Sequence, residues 1–216
     1  MKNLNVNRIL DGGYYVKTII FDMYGVIIKE SKGNFIPYTL NHFPESEHLR
    51  IINLIRKDKL FTRAGNGEIT SDDFLTKLGY KDTEFHMRDY LENHLTLDVD
   101  FYAFAEKMKC TYDFALLSND VSEWSRHITK HHRLDKYFSH KIISGNVRCR
   151  KPNAEIYKIA LEQVGLPAEE CIFIDNSVAN LRAAAELGMD VILFNRDNET
   201  YDGKTVYSFE ELLQVV

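Results

Sequence analysis

From Thr18 to Ile28 the chain reads TIIFDMYGVII, an apolar run interrupted by one carboxylate, Asp22, and one glycine, Gly25. An unalternating apolar segment that ends in a turn is the pattern of a strand buried on both faces, as in a parallel sheet. From about Ser31 to Thr96 the spacing turns helical. Leu49, Ile52, Leu54 and Ile55, and later Phe74, Leu75 and Leu78, recur at helical intervals with no strand-like run between them. Gly65-Asn66-Gly67 marks a turn there, and Thr70 or Ser71 followed by Asp72 and Asp73 predicts a capped helix start before Phe74. Beyond Asp100 the two periods alternate. The pattern predicts a helix around Phe101 to Lys109, a strand Phe114 to Ser118, a helix Ser122 to His132 and a short strand Ile142 to Ser144. It continues with a helix Asn153 to Gly165, a strand Cys171 to Asp175, a helix Val178 to Gly188, a strand Val191 to Phe194 and a closing helix Phe209 to Leu213. Strands alternating with helices imply an α/β fold, a doubly wound parallel sheet. The expected layout is an N-terminal extension (1–15), a core (16–30 and 97–216) and an inserted helical cap (31–96).

Composition narrows the classes. A chain of 216 residues with 44% hydrophobic and 27% charged content has the balance of a soluble globular protein with one sizeable core and an insert. A formal net charge of -5 provides no basic footprint, so neither nucleic acid nor an anionic membrane is an expected partner. Cys110, Cys149 and Cys171 are odd in number and far apart, which suggests neither a disulfide framework nor a thiolate metal site and fits a reducing cytoplasm. The opening MKNLNVNRILDGGYYVK has no apolar run of signal-peptide length, and no segment approaches membrane-spanning length. A cytoplasmic protein acting on a small molecule is expected, with no oligomeric state implied.

In a doubly wound sheet all strand carboxyl ends open on one edge, where ligands bind. Asp22 follows the first strand there, Ser118 and Asn119 the second, Lys151 the third, Asp175 and Asn176 the fourth. Asp22 is the candidate nucleophile, and Gly25 lets backbone N–H groups approach an anion. Lys151 is a point charge suited to holding a phosphoryl group for catalysis and binding, and Ser118 can donate to the same oxygens. A Mg²⁺ ion would take oxygen from Asp22, the Tyr24 carbonyl, Asp175 and Asn176. Plainer roles stand beside these. Asn119, Asp120, Asp175 and Asn176 precede helices and can cap them, and Lys151 lies in a basic patch with Arg148 and Arg150. His127 and His131 share a helix face with His132 adjacent, but no acid at matching spacing completes a metal site, so a solvated face is expected. Phe35, Tyr38 and Phe43 either line a pocket or pack between cap helices, and Arg63 beside the Gly-Asn-Gly turn is a candidate specificity group.

These motifs together resemble the haloacid dehalogenase (HAD) superfamily with a small helical cap, over nearly everything from Val16 to Leu213. Asp22-Met23-Tyr24-Gly25-Val26 is similar to that family's Asp-x-Asp-Gly-(Thr/Val), Ser118-Asn119 to its phosphate-binding pair and Lys151-Pro152 to its lysine before proline. Asp175-Asn176-Ser177-Val178-Ala179-Asn180 is similar to the Asp-Asp-x-x-x-Asn form of its last motif. Gly67-Glu68-Ile69-Thr70 before Phe74 also looks like the sugar-phosphate phosphatase subgroup. The resemblance implies a Mg²⁺-dependent phosphatase of small phosphorylated metabolites, acting through an aspartyl-phosphate on Asp22.

Two positions depart from that pattern, and each removes a carboxylate. Tyr24 stands where the acid/base aspartate is expected, and a phenol of pKa near ~10 is a poor base at neutral pH. Asn176 stands where the second metal-binding acid is expected. Dehalogenases of the same superfamily resemble this chain in having Asp-x-Tyr-Gly, because halide leaves without a proton, yet they have Ser where this chain keeps Asp175. None of Arg50, Arg56 or Arg63 can be matched to their cap arginine. Dehalogenation is the alternative enzyme reading, and a catalytically weak phospho-ligand binder is the third.

Overall fold

The apolar run of the first motif forms strand β1 (Thr18–Phe21), with all four residues buried. The computed structural model describes residues 17–31 and 34–216, so the extension expected over 1–15 lies outside the described residues. Five helices follow β1, namely α1 (Phe35–Asn41), α2 (Glu45–Arg56), α3 (Leu60–Gly65), α4 (Ser71–Leu78) and α5 (Thr83–Asn93). They make up the helical insertion. The chain continues with α6 (Asp100–Met108), β2 (Asp113–Ser118), α7 (Ser122–His131), β3 (Phe138–Ile143) and the short α8 (Ser144–Val147). It closes with α9 (Ala154–Val164), β4 (Cys171–Asp175), α10 (Val178–Ala185), β5 (Asp190–Phe194), β6 (Thr205–Val206) and α11 (Phe209–Val215).

The strands form a six-stranded sheet in the order β3-β2-β1-β4-β5-β6, and every pairing is parallel. Because β1 lies between β2 and β4, the strand order reverses there and a crevice opens at the carboxyl ends. Apolar packing fixes that centre from both faces. Phe21 meets Phe101, Phe104 and Phe114 edge-on at 5.6 to 5.9 Å, the geometry aromatic rings prefer. On the opposite face Ile20 and Phe173 pack with Ile156 and Tyr157 of α9.

Local signals explain most element ends. Thr70 closes a reciprocal capping box with Asp73 at the start of α4, and Asn153 and Gly165 cap the two ends of α9. The third strand is longer than the expected Ile142 to Ser144. It starts at Phe138, and its early residues Ser139, His140 and Lys141 are not buried, as suits a sheet edge, so they lack the apolar signal. Ser144 instead opens α8. The two-residue β6 is too short to give a pattern. No helix among the described residues is long and apolar enough to cross a membrane, and all three cysteines are unpaired.

The insertion docks on α7 and on the turn that opens α8. The Trp124 indole N–H donates to Ser71 Oγ at 2.7 Å, and the Ser71 backbone N–H donates to Glu123 at 3.3 Å. The Ser144 hydroxyl donates to the Gly65 carbonyl, while the Asp120 N–H donates to Ser144 Oγ at 3.0 Å. Gly67 has φ +68°, and a Cβ there would lie 2.1 Å from the Gly145 carbonyl oxygen. Only glycine fits that crossing. Gly67→Ala is expected to lower stability by about 1–3 kcal/mol, the cost of a strained backbone with a clash, measured as a shift in urea midpoint. An unchanged midpoint would mean that the turn does not bear on the core.

Candidate active site

The register of the central strands brings the expected residues to one point. Phe21 pairs with Ile174 on one side and Leu116 on the other, so Asp22, Asp175 and Ser118 emerge together at the carboxyl edge. The Asp22 N–H donates to the Ile174 carbonyl at 2.9 Å, carrying the ladder one residue beyond β1. Met23 then turns, and its N–H donates back to Asp22 Oδ1 at 2.7 Å. Gly25 has φ +82°, and a Cβ on it would lie 2.4 Å from the Asn176 side chain. Its absence is what lets Asn176 lie against the loop.

Lys151 occupies the middle of this group. Its ammonium is 2.8 Å from Asp22 Oδ1 and 2.7 Å from Asp175 Oδ2, and it donates to the Leu117 carbonyl at 2.8 Å. Lys151 is 2% exposed, Asp22 7% and Asp175 0%, so the triad is dry. Burial alone disfavours the ammonium, but Asp175 and Asp22 outweigh it and raise the Lys151 pKa above the ordinary lysine value. The same burial, opposed by Lys151, pushes the Asp22 carboxyl up to about 7. Both Oδ1 contacts leave Asp22 Oδ2 without a partner among the described residues, a free oxygen on a carboxylate whose other oxygen is fixed.

Asn119 braces the lysine loop. Its side chain donates to the Lys151 carbonyl at 2.9 Å and accepts from the Lys151 N–H at 2.8 Å, so both amide atoms are engaged within the protein. Ser118 is fully buried, and its hydroxyl has no hydrogen-bond partner among the described residues. A buried hydroxyl without a partner is uncommon and marks a place where a ligand oxygen or a water would be held. Asp175 accepts from Lys151, from the Ser177 N–H at 2.8 Å and from Asn180 at 3.1 Å, so both its oxygens are taken. Asn176 donates to Asp197 at 2.9 Å, and Asp197 in turn accepts from Ser31 at 2.7 Å. The carbonyl oxygens of Tyr24 and the Asn176 amide accept no bond from the described residues.

The Tyr24 phenol turns away from Asp22 and donates to Asp120 at 3.3 Å. Asp120 also accepts from Ser125 at 2.5 Å and from the Val121 N–H at 2.8 Å. Burial pushes the Asp120 carboxyl up to about 7, and burial with the neighbouring Asp120 raises the Tyr24 phenol well above its usual range. The expected capping of α7 is corrected: its N-cap is Val121 with no side-chain cap bond, and Asp120 instead meets Tyr24, Ser125 and the Val121 N–H.

Asp197 was missed in the sequence. The strand-end rule locates it, because it follows β5 on the same edge, but only four strand ends were read. Three cap residues have partners within the insertion or at its boundary with the core. Phe35 is buried against Phe61, Phe74, Tyr90 and Trp124, so it packs the cap onto the core. Arg63 pairs with Glu68 at 3.3 Å and is 43% exposed, and Arg50 donates to Glu47 and to the Leu78 carbonyl.

Comparison with known proteins adds to this geometry. A family described as haloacid dehalogenase-like hydrolase matches residues 16–188. The chain is 23% identical over 201 residues to (S)-2-haloacid dehalogenase of Pseudomonas putida, covering 87% of this chain and 88% of that protein. It is 30% identical over 87 residues to drimenol cyclase drtB of Aspergillus calidoustus, covering 40% of this chain but spanning only 14% of that relative's length. A solved HAD family enzyme of Bacteroides thetaiotaomicron, in complex with magnesium and inorganic phosphate, has the same fold. Its TM-score is 0.72 at 22% identity, over 87% of this chain and 98% of that one.

Removing Lys151 would leave two buried carboxylates uncompensated. Lys151→Met is expected to cost about 3–5 kcal/mol of stability, read from urea unfolding. A loss under about 1 kcal/mol would mean that solvent reaches the pair.

Proposed function

The chain belongs to the haloacid dehalogenase-like hydrolases, and on that premise we propose a Mg²⁺-dependent phosphatase of small phosphorylated metabolites with Asp22 as its nucleophile. The observation that carries this reading is the charge of the crevice. Asp22 and Asp175 flank the one buried ammonium among the described residues, Lys151, Asp197 stands against Asn176 beside them, and Arg196 is paired with Asp98. A phosphate dianion entering an already negative, poorly solvated site is repelled unless a divalent cation enters with it.

The residues fit such an ion. The Tyr24 carbonyl and the Asn176 amide oxygen offer hard oxygen donors without partners among the described residues, Asp22 could offer its Oδ1 beside Lys151, and Asp197 adds negative charge next to Asn176. Asp175, expected among the ligands, has both oxygens engaged, so it serves by holding Lys151 and balancing charge. When bound, Mg²⁺ would offset the charge of the phosphoryl oxygens.

The chain's own groups then divide the work. Asp22 Oδ2 attacks phosphorus while Lys151 and the Met23 N–H hold Oδ1, so the carboxylate does not rotate away. The Ser118 hydroxyl gains a partner in a phosphoryl oxygen, and Lys151 stabilises the charge that builds there. Asn119 keeps Lys151 in place through the loop backbone. The leaving oxygen finds no nearby acid, because the Tyr24 proton is directed to Asp120. Substrates that leave as weak bases, such as acyl or aryl phosphates, should therefore react fastest.

Halide release is the second reading. It is favoured by Tyr24, because a halide needs no proton, and opposed by the engagement of Arg50 and Arg63 elsewhere.

Phosphate release from acetyl phosphate, p-nitrophenyl phosphate and hexose phosphates, with and without Mg²⁺, tests the proposal. Activity that requires Mg²⁺ and disappears in Asp22→Asn is the expected result. Silence on all three together with halide release from a 2-haloacid would replace it. The missing acid makes a separate prediction. Tyr24→Asp should speed alkyl phosphates by about 10²-fold or more and aryl or acyl phosphates far less. Equal effects on both classes would show that leaving-group protonation is not what Tyr24 limits.

A further inference from the structure

A second group of chemically competent side chains lies on the outer surface, where the insertion meets the core. Glu92 stands near the end of α5, and His127 and His131 lie one helical turn apart on α7. Glu92 Oε1 is 2.8 Å from His127 Nε2 and 3.7 Å from His131 Nδ1. The two imidazole rings are stacked, with centroids 6.0 Å apart and planes 16° from parallel. One ligand atom from each of the three residues lies within 4.8 Å of the others. The acid that the helix face lacked in sequence arrives from 35 residues upstream, across the boundary between cap and core. The expectation of a plain solvated face is corrected by that arrival.

We propose that Glu92, His127 and His131 bind a first-row transition-metal ion of the zinc class and that the bound ion latches the cap to the core.

Two imidazoles and one carboxylate are a borderline donor set that suits Zn²⁺, Ni²⁺ or Cu²⁺ and is poor for Mg²⁺. A tetrahedral ion with bonds of ~2.0–2.1 Å holds its ligand atoms about 3.3 Å apart. The two distances from Glu92 to the histidines, 2.8 and 3.7 Å, bracket that separation, so small side-chain rotations suffice. Three protein ligands leave a position for water. His131 is 40% exposed in its side chain, and Glu92 and His127 are 23% exposed, so the ion enters directly from solvent. The neighbours permit this. Arg88 lies 3.3 Å from the same Glu92 oxygen, but its side chain is 55% exposed and can swing into water when a cation replaces it. His132 is T-shaped to His131 at 4.7 Å.

The mechanical consequence follows from where the ligands sit. Glu92 belongs to the cap and the histidines to α7, so an occupied site ties the two together and resists their separation. Neither the identity of the Asp22 substrate nor its Mg²⁺ enters this inference.

The test is calorimetric titration of the full-length, chelator-treated protein with Zn²⁺ in excess Mg²⁺, alongside thermal unfolding with and without Zn²⁺. The expected result is one Zn²⁺ per chain and a rise in Tm, with binding weakened at least about tenfold in Glu92→Gln and in His131→Gln. His86→Gln, on α5 but packed against Tyr38 and Tyr80 instead of α7, should bind as the parent does. Parent and variants should share a Tm without metal, and a Co²⁺ absorption spectrum of tetrahedral type should appear only where the site is intact. The proposal is overturned if Zn²⁺ does not bind in Mg²⁺, or if both ligand variants bind it unchanged. It is equally overturned if Zn²⁺ binds and Tm does not rise.

Discussion

The ammonium of Lys151, held between the carboxylates of Asp22 and Asp175 with almost no access to water, is the contact on which the rest of the carboxyl edge depends. Three charges in a dry crevice persist only if each is paired and further hydrogen-bonded, since the desolvation penalty is several kcal/mol per ion. Each is. The lysine also meets the Leu117 carbonyl, Asp22 meets the Met23 N–H, and Asp175 meets Ser177 and Asn180. Asn119 fixes the loop from which the lysine projects. The parallel register supplies the positions, and these polar contacts supply the orientation.

That arrangement leaves a deliberate imbalance. One cation faces two carboxylates, and Asp197 adds a third through Asn176. The charge that Asn176 lacks, relative to the acid its motif resembles, therefore returns from another strand end. Loss of the acid at position 24 is not made good in the same way, because Tyr24 is tied to Asp120 and Asp120 is itself buried. The crevice thus carries excess negative charge that would favour a cation, and it has no acid placed beside Asp22 for leaving-group protonation among the described residues. Hard oxygen donors at the crevice and imidazoles at the boundary of the cap would also let two kinds of ion act on one protein without competing.

The fold was largely legible because the buried strands carry apolar runs and their helices carry caps that local chemistry dictates. Cys171 to Asp175 was read to the residue, and the Thr70 and Asn153 starts follow from side-chain capping. The edge strand β3 was read short because its exposed residues have no apolar signal. At the site, the sequence order put Asp22, Ser118, Lys151 and Asp175 on one edge, and the structure brings them together there. What it hid was pairing. That Asn119 grips a backbone, that Tyr24 faces Asp120, and that Glu92 completes a histidine pair are facts of distance between segments far apart in the chain. Periodicity contains no such information.

Asp22 as the group that takes up the phosphoryl is tested most directly by trapping. Rapid quench of the enzyme with acetyl phosphate and Mg²⁺, followed by peptide mass analysis, should show a phosphoryl adduct on the segment bearing Asp22 and none in the Asp22→Asn protein. Phosphate release with no adduct, or an adduct on another residue, would contradict the assignment.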